Sequence, residues 1–279
     1  MSPLPVEKEE KNEPKAQKLI LHHTVHGKGA PLVILHGLFG MSDNWATLSK
    51  QYAASGFQVI LMDLRNHGHS GHEPIMNYTV MAEDVLNTLL QIQLEKVHII
   101  GHSMGGKVAM TFACLYPELI DKLIVADIAP KYYAPHHQDV LEAIESVMLE
   151  KITARSEAEI QLREHLIHEG TIQFLLKNLY WKNGVDGNKN LAWRFNFEAI
   201  KNNIDLVGEE LPYNAHFSGP TLFIKGSNSN YIMPEDENIM AIHFSNYQLE
   251  SVSSAAHWLH ADNPTEFLAK TNKFLTINT

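Results

Sequence analysis

Gly101-His102-Ser103-Met104-Gly105-Gly106 has the form G-x-S-x-G and stands where an apolar run ends and a helical pattern begins. Residues 97 to 100 read as a short buried β run; residues 107 to 116 carry apolar side chains at helical spacing until Pro117 ends the pattern. The context is strand, sharp turn, helix. A serine in such a turn is held with its hydroxyl outward, and the flanking glycines leave room for the crossing strand and helix backbones. Ser103 is therefore the candidate nucleophile. The next N–H, that of Met104, sits at the helix start, where unpaired donors and the helix dipole favour negative charge, so Met104 is a candidate oxyanion donor. Alone, a five-residue match of this kind is a common turn. It gains meaning only if a histidine, an acid and a second donor stand at other strand ends.

Upstream, a β-like segment at 18 to 24 runs into the turn His26-Gly27-Lys28-Gly29, and residues 32 to 35 form the continuous apolar run of a buried parallel strand. That strand ends in His36-Gly37-Leu38-Phe39-Gly40, a glycine-flanked loop whose N–H groups can turn toward a ligand. Leu38, with Phe39 as its rival, is the candidate second oxyanion donor. Residues 42 to 55 read as a helix stopped by Gly56, 58 to 62 as a strand, and 79 to 91 as a helix leading to the Ser103 turn. Asp63 and Arg65, at the end of the strand over 58 to 62, read as structural charges that pair or cap a neighbouring helix. Strands alternating with helices imply crossover units and a mostly parallel sheet, whose ligand site lies beyond the carboxyl ends of the strands.

Downstream, the buried run at 122 to 126 ends in Asp127-Ile128-Ala129-Pro130, and the next comparable run is at 221 to 225. Between them lie helical patterns at 140 to 149, 157 to 168, 172 to 180 and 195 to 204, broken near Gly184-Val185-Asp186-Gly187, with little that reads as sheet. Residues 131 to 217 are thus expected to be a helical insertion whose apolar face covers an acyl pocket over Ser103. A last β run at 248 to 252 leads into Ala255-Ala256-His257-Trp258-Leu259-His260. In the segment that follows, Asn263 caps a closing helix, Pro264 takes its first position and Glu266 reaches back.

Position selects the base from 17 histidines. A serine triad on such a sheet runs Ser, acid, His in chain order, with the histidine in the loop after the last strand. Only His257 and His260 fit, and His257 is nearer the strand end. The histidine pairs His165 and His168, and His136 and His137, lack any H-E-x-x-H pattern or cysteine cluster, so no metal or other cofactor is expected. The loop after the penultimate strand, Gly226-Ser227-Asn228-Ser229-Asn230-Tyr231, has no carboxylate until Glu235 and Asp236, which follow Pro234 and read as first-turn helix acids. Asp127 stands at the end of the preceding strand, from which it can orient the histidine and stabilise the imidazolium. The expected set is Ser103, Asp127 and His257.

Composition narrows the class of function. The chain has 279 residues, 44% of them hydrophobic, enough for one large core or one core with an insertion. A net charge of -10 argues against a nucleic-acid surface. Cys114 is the single cysteine and cannot form an internal disulfide. No apolar run reaches the length of about 20 residues that spans a bilayer, and the first residues lack signal-peptide order, so the expectation is a cytoplasmic protein. Residues 1 to 17, rich in Glu, Lys and Pro, read as a flexible tail. A dinucleotide site is a weak match: Gly27-x-Gly29 lacks a third glycine, and Ser103 occupies the position of the second in the other stretch.

Several motifs together resemble the α/β-hydrolase superfamily, and within it the YbfF-like esterases and their eukaryotic abhydrolase-domain relatives. They are H-G-L-F-G at 36 to 40, R-N-H-G-H-S at 65 to 70, G-H-S-M-G-G-K at 101 to 107, D-I-A-P at 127 to 130, Q-F-L-L at 173 to 176, W-R-F-N at 193 to 196 and H-W-L-H-A at 257 to 261. The resemblance spans residues 18 to 277. It departs at Ala256, where glycine is commoner, and in the tail. It implies an α/β-hydrolase fold, with a mostly parallel central sheet flanked by helices and a helical cap inserted after the sixth strand. The core is then 18 to 130 with 218 to 279, and the cap 131 to 217. It also implies a serine esterase or thioesterase acting on a small-molecule acyl ester or thioester, with the acid at Asp127. Carbon-carbon bond hydrolysis, perhydrolysis and a non-catalytic binding fold are the alternatives.

Overall fold

In the computed structural model, which describes residues 18–135, 137–183 and 188–277, the buried apolar runs become parallel strands. The strands are β1 His23–His26, β2 Ala30–Leu35, β3 Phe57–Met62, β4 Val97–His102, β5 Ile120–Ala126, β6 Leu179–Asn183, β7 Lys189–Trp193, β8 Thr221–Gly226 and β9 Tyr247–Val252. Seven form one sheet in the order β1-β3-β2-β4-β5-β8-β9, parallel throughout except for β1 against β3. Successive side chains alternate between two cores. In β2, Val33 and Leu35 pack in the larger core with helices α2 (Tyr78–Gln91) and α3 (Met104–Leu115), whereas Leu32 and Ile34 face α1 (Ala46–Ala54) and the closing helix, residues 264 to 276. Tyr52 and Thr271 share a buried hydroxyl hydrogen bond of 2.6 Å across that second face.

Between β5 and β8 come α4 (Gln138–Ser146), α5 (Arg155–Arg163), α6 (Glu169–Leu176), the hairpin β6-β7, α7 (Phe197–Asn202) and α8 (Ile204–Val207). Leu141, Ile144, Leu162, Ile172 and Leu175 from this stretch belong to the same continuous core as Val33 and Val108. The remaining helices are α9 (Glu237–His243), α10 (Leu259–Asp262) and α11 (Pro264–Thr276). Asn263 caps α11 by accepting from the Glu266 N–H.

Two details differ from the sequence reading. The insertion leaves the sheet after β5, the fifth strand among the described residues, where the sequence reading counts the sixth. Among the described residues no strand precedes β1: the N–H groups of Leu19, Leu21 and His22 donate to the side chains of Asp84, Thr88 and Ser70 instead of a ladder. The insertion is also not purely helical. The β6-β7 hairpin is hidden from pattern reading because its strands bury only Leu179 and Leu191 and so carry no burial alternation. The stretch read as a tail at 1 to 17, His136 and the break at 184 to 187 lie outside the described residues.

Candidate active site

The sharp turn after β4 places Ser103 at φ 53°, ψ -119°, a conformation a non-glycine residue adopts only when its surroundings hold it there. Both glycines of the motif are sites of close backbone approach. A Cβ on Gly101 would lie 2.3 Å from the Gly105 carbonyl oxygen, and one on Gly105 would lie 2.4 Å from that of Leu35. Helix α3 thus begins pressed against the end of β2, which brings the 36 to 40 loop beside Ser103.

His257 arrives from the loop after β9 and joins two other strand ends. Its Nε2 lies 3.0 Å from Ser103 Oγ and its Nδ1 2.8 Å from Asp127 Oδ2. Asp127 is fully buried, the His257 side chain is 25% exposed, and Asp127 also has a positive φ of 53°. An ionised carboxylate only accepts hydrogen bonds, so Nδ1 carries the proton and Nε2 is free to accept from the serine hydroxyl. Asp127 Oδ1 accepts from the Gly226 N–H at 3.1 Å, and Oδ2 accepts in addition from the Ser229 hydroxyl. Asp236, the alternative acid, is engaged elsewhere, by Lys131 Nζ at 2.6 Å and the Met233 N–H at 2.8 Å.

The imidazole is also fixed from its face and its backbone. The Tyr231 ring stacks on it with centroids 3.8 Å apart and planes 15° apart. His102 Nε2 donates to the His257 carbonyl at 2.8 Å, and the Asp262 carboxylate accepts from the Ala256 N–H at 2.8 Å. His260, the rejected candidate, is buried and stacks on Trp45 at 4.2 Å. Sequence reasoning missed Ser229, Tyr231 and His102. The available signal was the 226 to 231 loop itself, a strand end without a carboxylate but with a hydroxyl facing the neighbouring acid.

The N–H groups of the two candidates for second oxyanion donor differ in their hydrogen bonding. The Phe39 N–H donates to His67 Nε2 at 3.1 Å and is therefore occupied. Burial drops the His67 pKa to about 3, with a smaller effect of nearby His36, so the ring stays a neutral acceptor. Among the described residues, the N–H groups of Leu38 and Met104 donate to no protein acceptor. A cavity of about 20 Å³ opens beside Ser103, lined among others by Leu38, Tyr78, Lys107, Ile128, Tyr133 and Val207. It has room for about one water. Lys107 Nζ donates to the carbonyls of Lys131 and Glu209 at 2.5 and 2.6 Å, and burial lowers its pKa to about 7. Asp63 and Arg65 stand behind this layer: Asp63 accepts from the Ser42 and His69 N–H groups, and Arg65 pairs with Asp84.

A family profile described as alpha/beta hydrolase fold matches residues 30–264. The chain belongs to the α/β-hydrolase family. This α/β hydrolase is 38% identical over 256 residues to the sn-1-specific diacylglycerol lipase ABHD11 of Danio rerio, covering 89% of this chain and 79% of that one. It is 37% identical over 249 residues to Esterase YbfF of Escherichia coli, covering 88% of this chain and 93% of that protein. Its fold superposes on a solved marine microorganism esterase with a TM-score of 0.87 and 38% identity, covering 92% of this chain and all of that one. Among the described residues of this α/β hydrolase, no helix is long and apolar enough to cross a membrane.

Proposed function

We propose that the chain is a serine carboxylic-ester hydrolase working through an acyl-enzyme intermediate. The observation that carries this reading is the unbroken line of hydrogen bonds from Ser103 Oγ through His257 to Asp127. His257 Nε2 takes the serine proton as Oγ attacks the acyl carbonyl, and Asp127 stabilises the resulting imidazolium. The Leu38 and Met104 N–H groups receive the negative charge that develops on the carbonyl oxygen; each such donor contributes about 3 kcal/mol to lowering the barrier. The imidazolium then protonates the departing alcohol. Water, deprotonated by His257, attacks the acyl-serine, and the acid leaves with the serine regenerated. Residues 131 to 217 act as a cap: Ala134, Pro135, Ile204 and Val207 from this stretch line the cavity at Ser103. The esterase and lipase named among the relatives support this reaction class. An acyl thioester presents the same carbonyl, so thioester hydrolysis belongs to the same proposal.

Initial rates on p-nitrophenyl esters of rising acyl length, with an acyl thioester series beside them, test the reading. Ser103→Ala is expected to abolish turnover. Asp127→Asn is expected to reduce kcat by about 10⁴-fold through the wrong histidine tautomer, while Asp236→Asn retains activity. Turnover lost with Asp236→Asn and kept with Asp127→Asn would place the acid elsewhere.

A further inference from the structure

A second, larger cleft of about 460 Å³ lies one step along α3 from the Ser103 cavity, within the size range of ligand sites. The two are consecutive on the same helices. On α3, Met104 and Lys107 face the small cavity, while Thr111, Cys114 and Leu115 face the cleft. Tyr78, the first residue of α2, lines both. So does the segment that follows α7: Val207 and Gly208 face Ser103, whereas Leu206 and Glu209 face the cleft.

This partition is fixed at three successive carbonyls. The Tyr78 hydroxyl donates to Val207 O at 2.5 Å, the Tyr133 N–H to Gly208 O at 2.8 Å, and Lys107 Nζ to Glu209 O at 2.6 Å. Three donors from three different elements thus hold one strap between the cavities. The Tyr78 ring is buried behind it. Beyond the ring the cleft offers apolar walls from Val80, Leu206, Leu211 and Pro212, with the Glu209 and Glu210 carboxylates exposed at its rim.

We infer that Tyr78 is the residue that sets acyl length, the end wall of the acyl site, and that the cleft behind it is a latent distal subsite for a longer unbranched acyl chain. This rests on the proposed esterase reading. With room for about one water at Ser103, the enzyme favours the shortest acyl groups. Removing the ring joins the two spaces and lets an alkyl chain run along α3 past Thr111 and Cys114.

The experiment is the p-nitrophenyl ester series on full-length wild type, Tyr78→Ala, Tyr78→Leu and the double variant Tyr78→Ala/Thr111→Phe, each first titrated with a fluorophosphonate probe for a reactive serine. Wild type is expected to label at Ser103 and to prefer acetyl. Either Tyr78 variant is expected to raise the octanoyl-to-acetyl ratio of kcat/KM by at least about tenfold, the scale of a few methylenes finding a hydrophobic pocket. Thr111→Phe, which fills the cleft, is expected to return the ratio to the wild-type value. Labelled variants with an unmoved optimum would overturn the wall. A shifted optimum that Thr111→Phe leaves in place would overturn the cleft as the added space. Wild type that resists the probe would overturn the Ser103 reading itself, and the wall with it.

Discussion

Ser229 donates its hydroxyl hydrogen to the same Asp127 oxygen that receives His257 Nδ1. A hydrogen bond to a charged group contributes about 1.5–3 kcal/mol, and this one keeps the carboxylate aimed at the imidazole. Ser229→Ala is expected to lower kcat about tenfold with KM unchanged, a loss of about 1.4 kcal/mol at the transition state, and Ser229→Thr to recover most of it. Steady-state kinetics on one good ester checks this; an equal change in KM would show that the hydroxyl shapes the pocket instead. The sequence reading assigns neither Ser229 nor Tyr231: it searches the 226 to 231 loop for a carboxylate, and the hydroxyl that meets Asp127 and the ring that stacks on His257 show their roles only in the folded chain. Ser103 and Asp127 were selected because each follows a buried run that marks a strand end, and His257 because it stands in the loop after the last β run. The rivalry between Leu38 and Phe39 stayed open in the sequence, since only the His67 contact distinguishes adjacent N–H groups.

At the scale of elements, α2 carries Tyr78 and must be fixed against the sheet for its wall to hold. Asp84 in the middle of α2 and Arg65 beyond β3 form an ion pair at 2.6 Å, their side chains 2% and 1% exposed. Arg65 Nη1 also donates to the Ile75 carbonyl at 2.6 Å, which ties down the approach to the helix. Removing one partner leaves the other charge buried and uncompensated, so Asp84→Ala is expected to cost about 3–5 kcal/mol, read as a lowered urea midpoint. A loss below about 1 kcal/mol would show that water reaches the pair. The sequence marked α2 by its apolar spacing over 79 to 91, one residue short of Tyr78, which begins the helix. The hairpin β6-β7 escaped for a related reason: pattern reading detects alternating burial, and this two-stranded ribbon buries one residue per strand.

Across the whole molecule, the strand ends that form the site are packed with neutral histidines. His36, His67, His102 and His260 are all buried, and burial is the leading cause of a lowered pKa in each; His67 and His260 fall to about 3. In the unfolded chain these groups take up protons near their ordinary value of about 6.5, so the unfolded state binds more protons as pH falls, and stability falls with it. Each fully buried imidazole contributes a slope of about 1.4 kcal/mol per pH unit between its unfolded and folded values. The melting temperature is therefore expected to drop from pH 6.5 to 4.5, and His260→Phe, which keeps a ring against Trp45, to flatten the drop. A pH-independent melting temperature over that range would contradict these neutral rings.

The chain order of the site has a consequence during synthesis. His257 follows Asp127 by 130 residues. At about 5–20 residues per second, the acid and the serine spend on the order of 10 s in a growing chain before the imidazole that joins them exists. On the proposed mechanism a ribosome stalled in that interval carries a serine without its base, so a chain truncated before β9 is expected to keep only a small remnant of acyl-transfer activity.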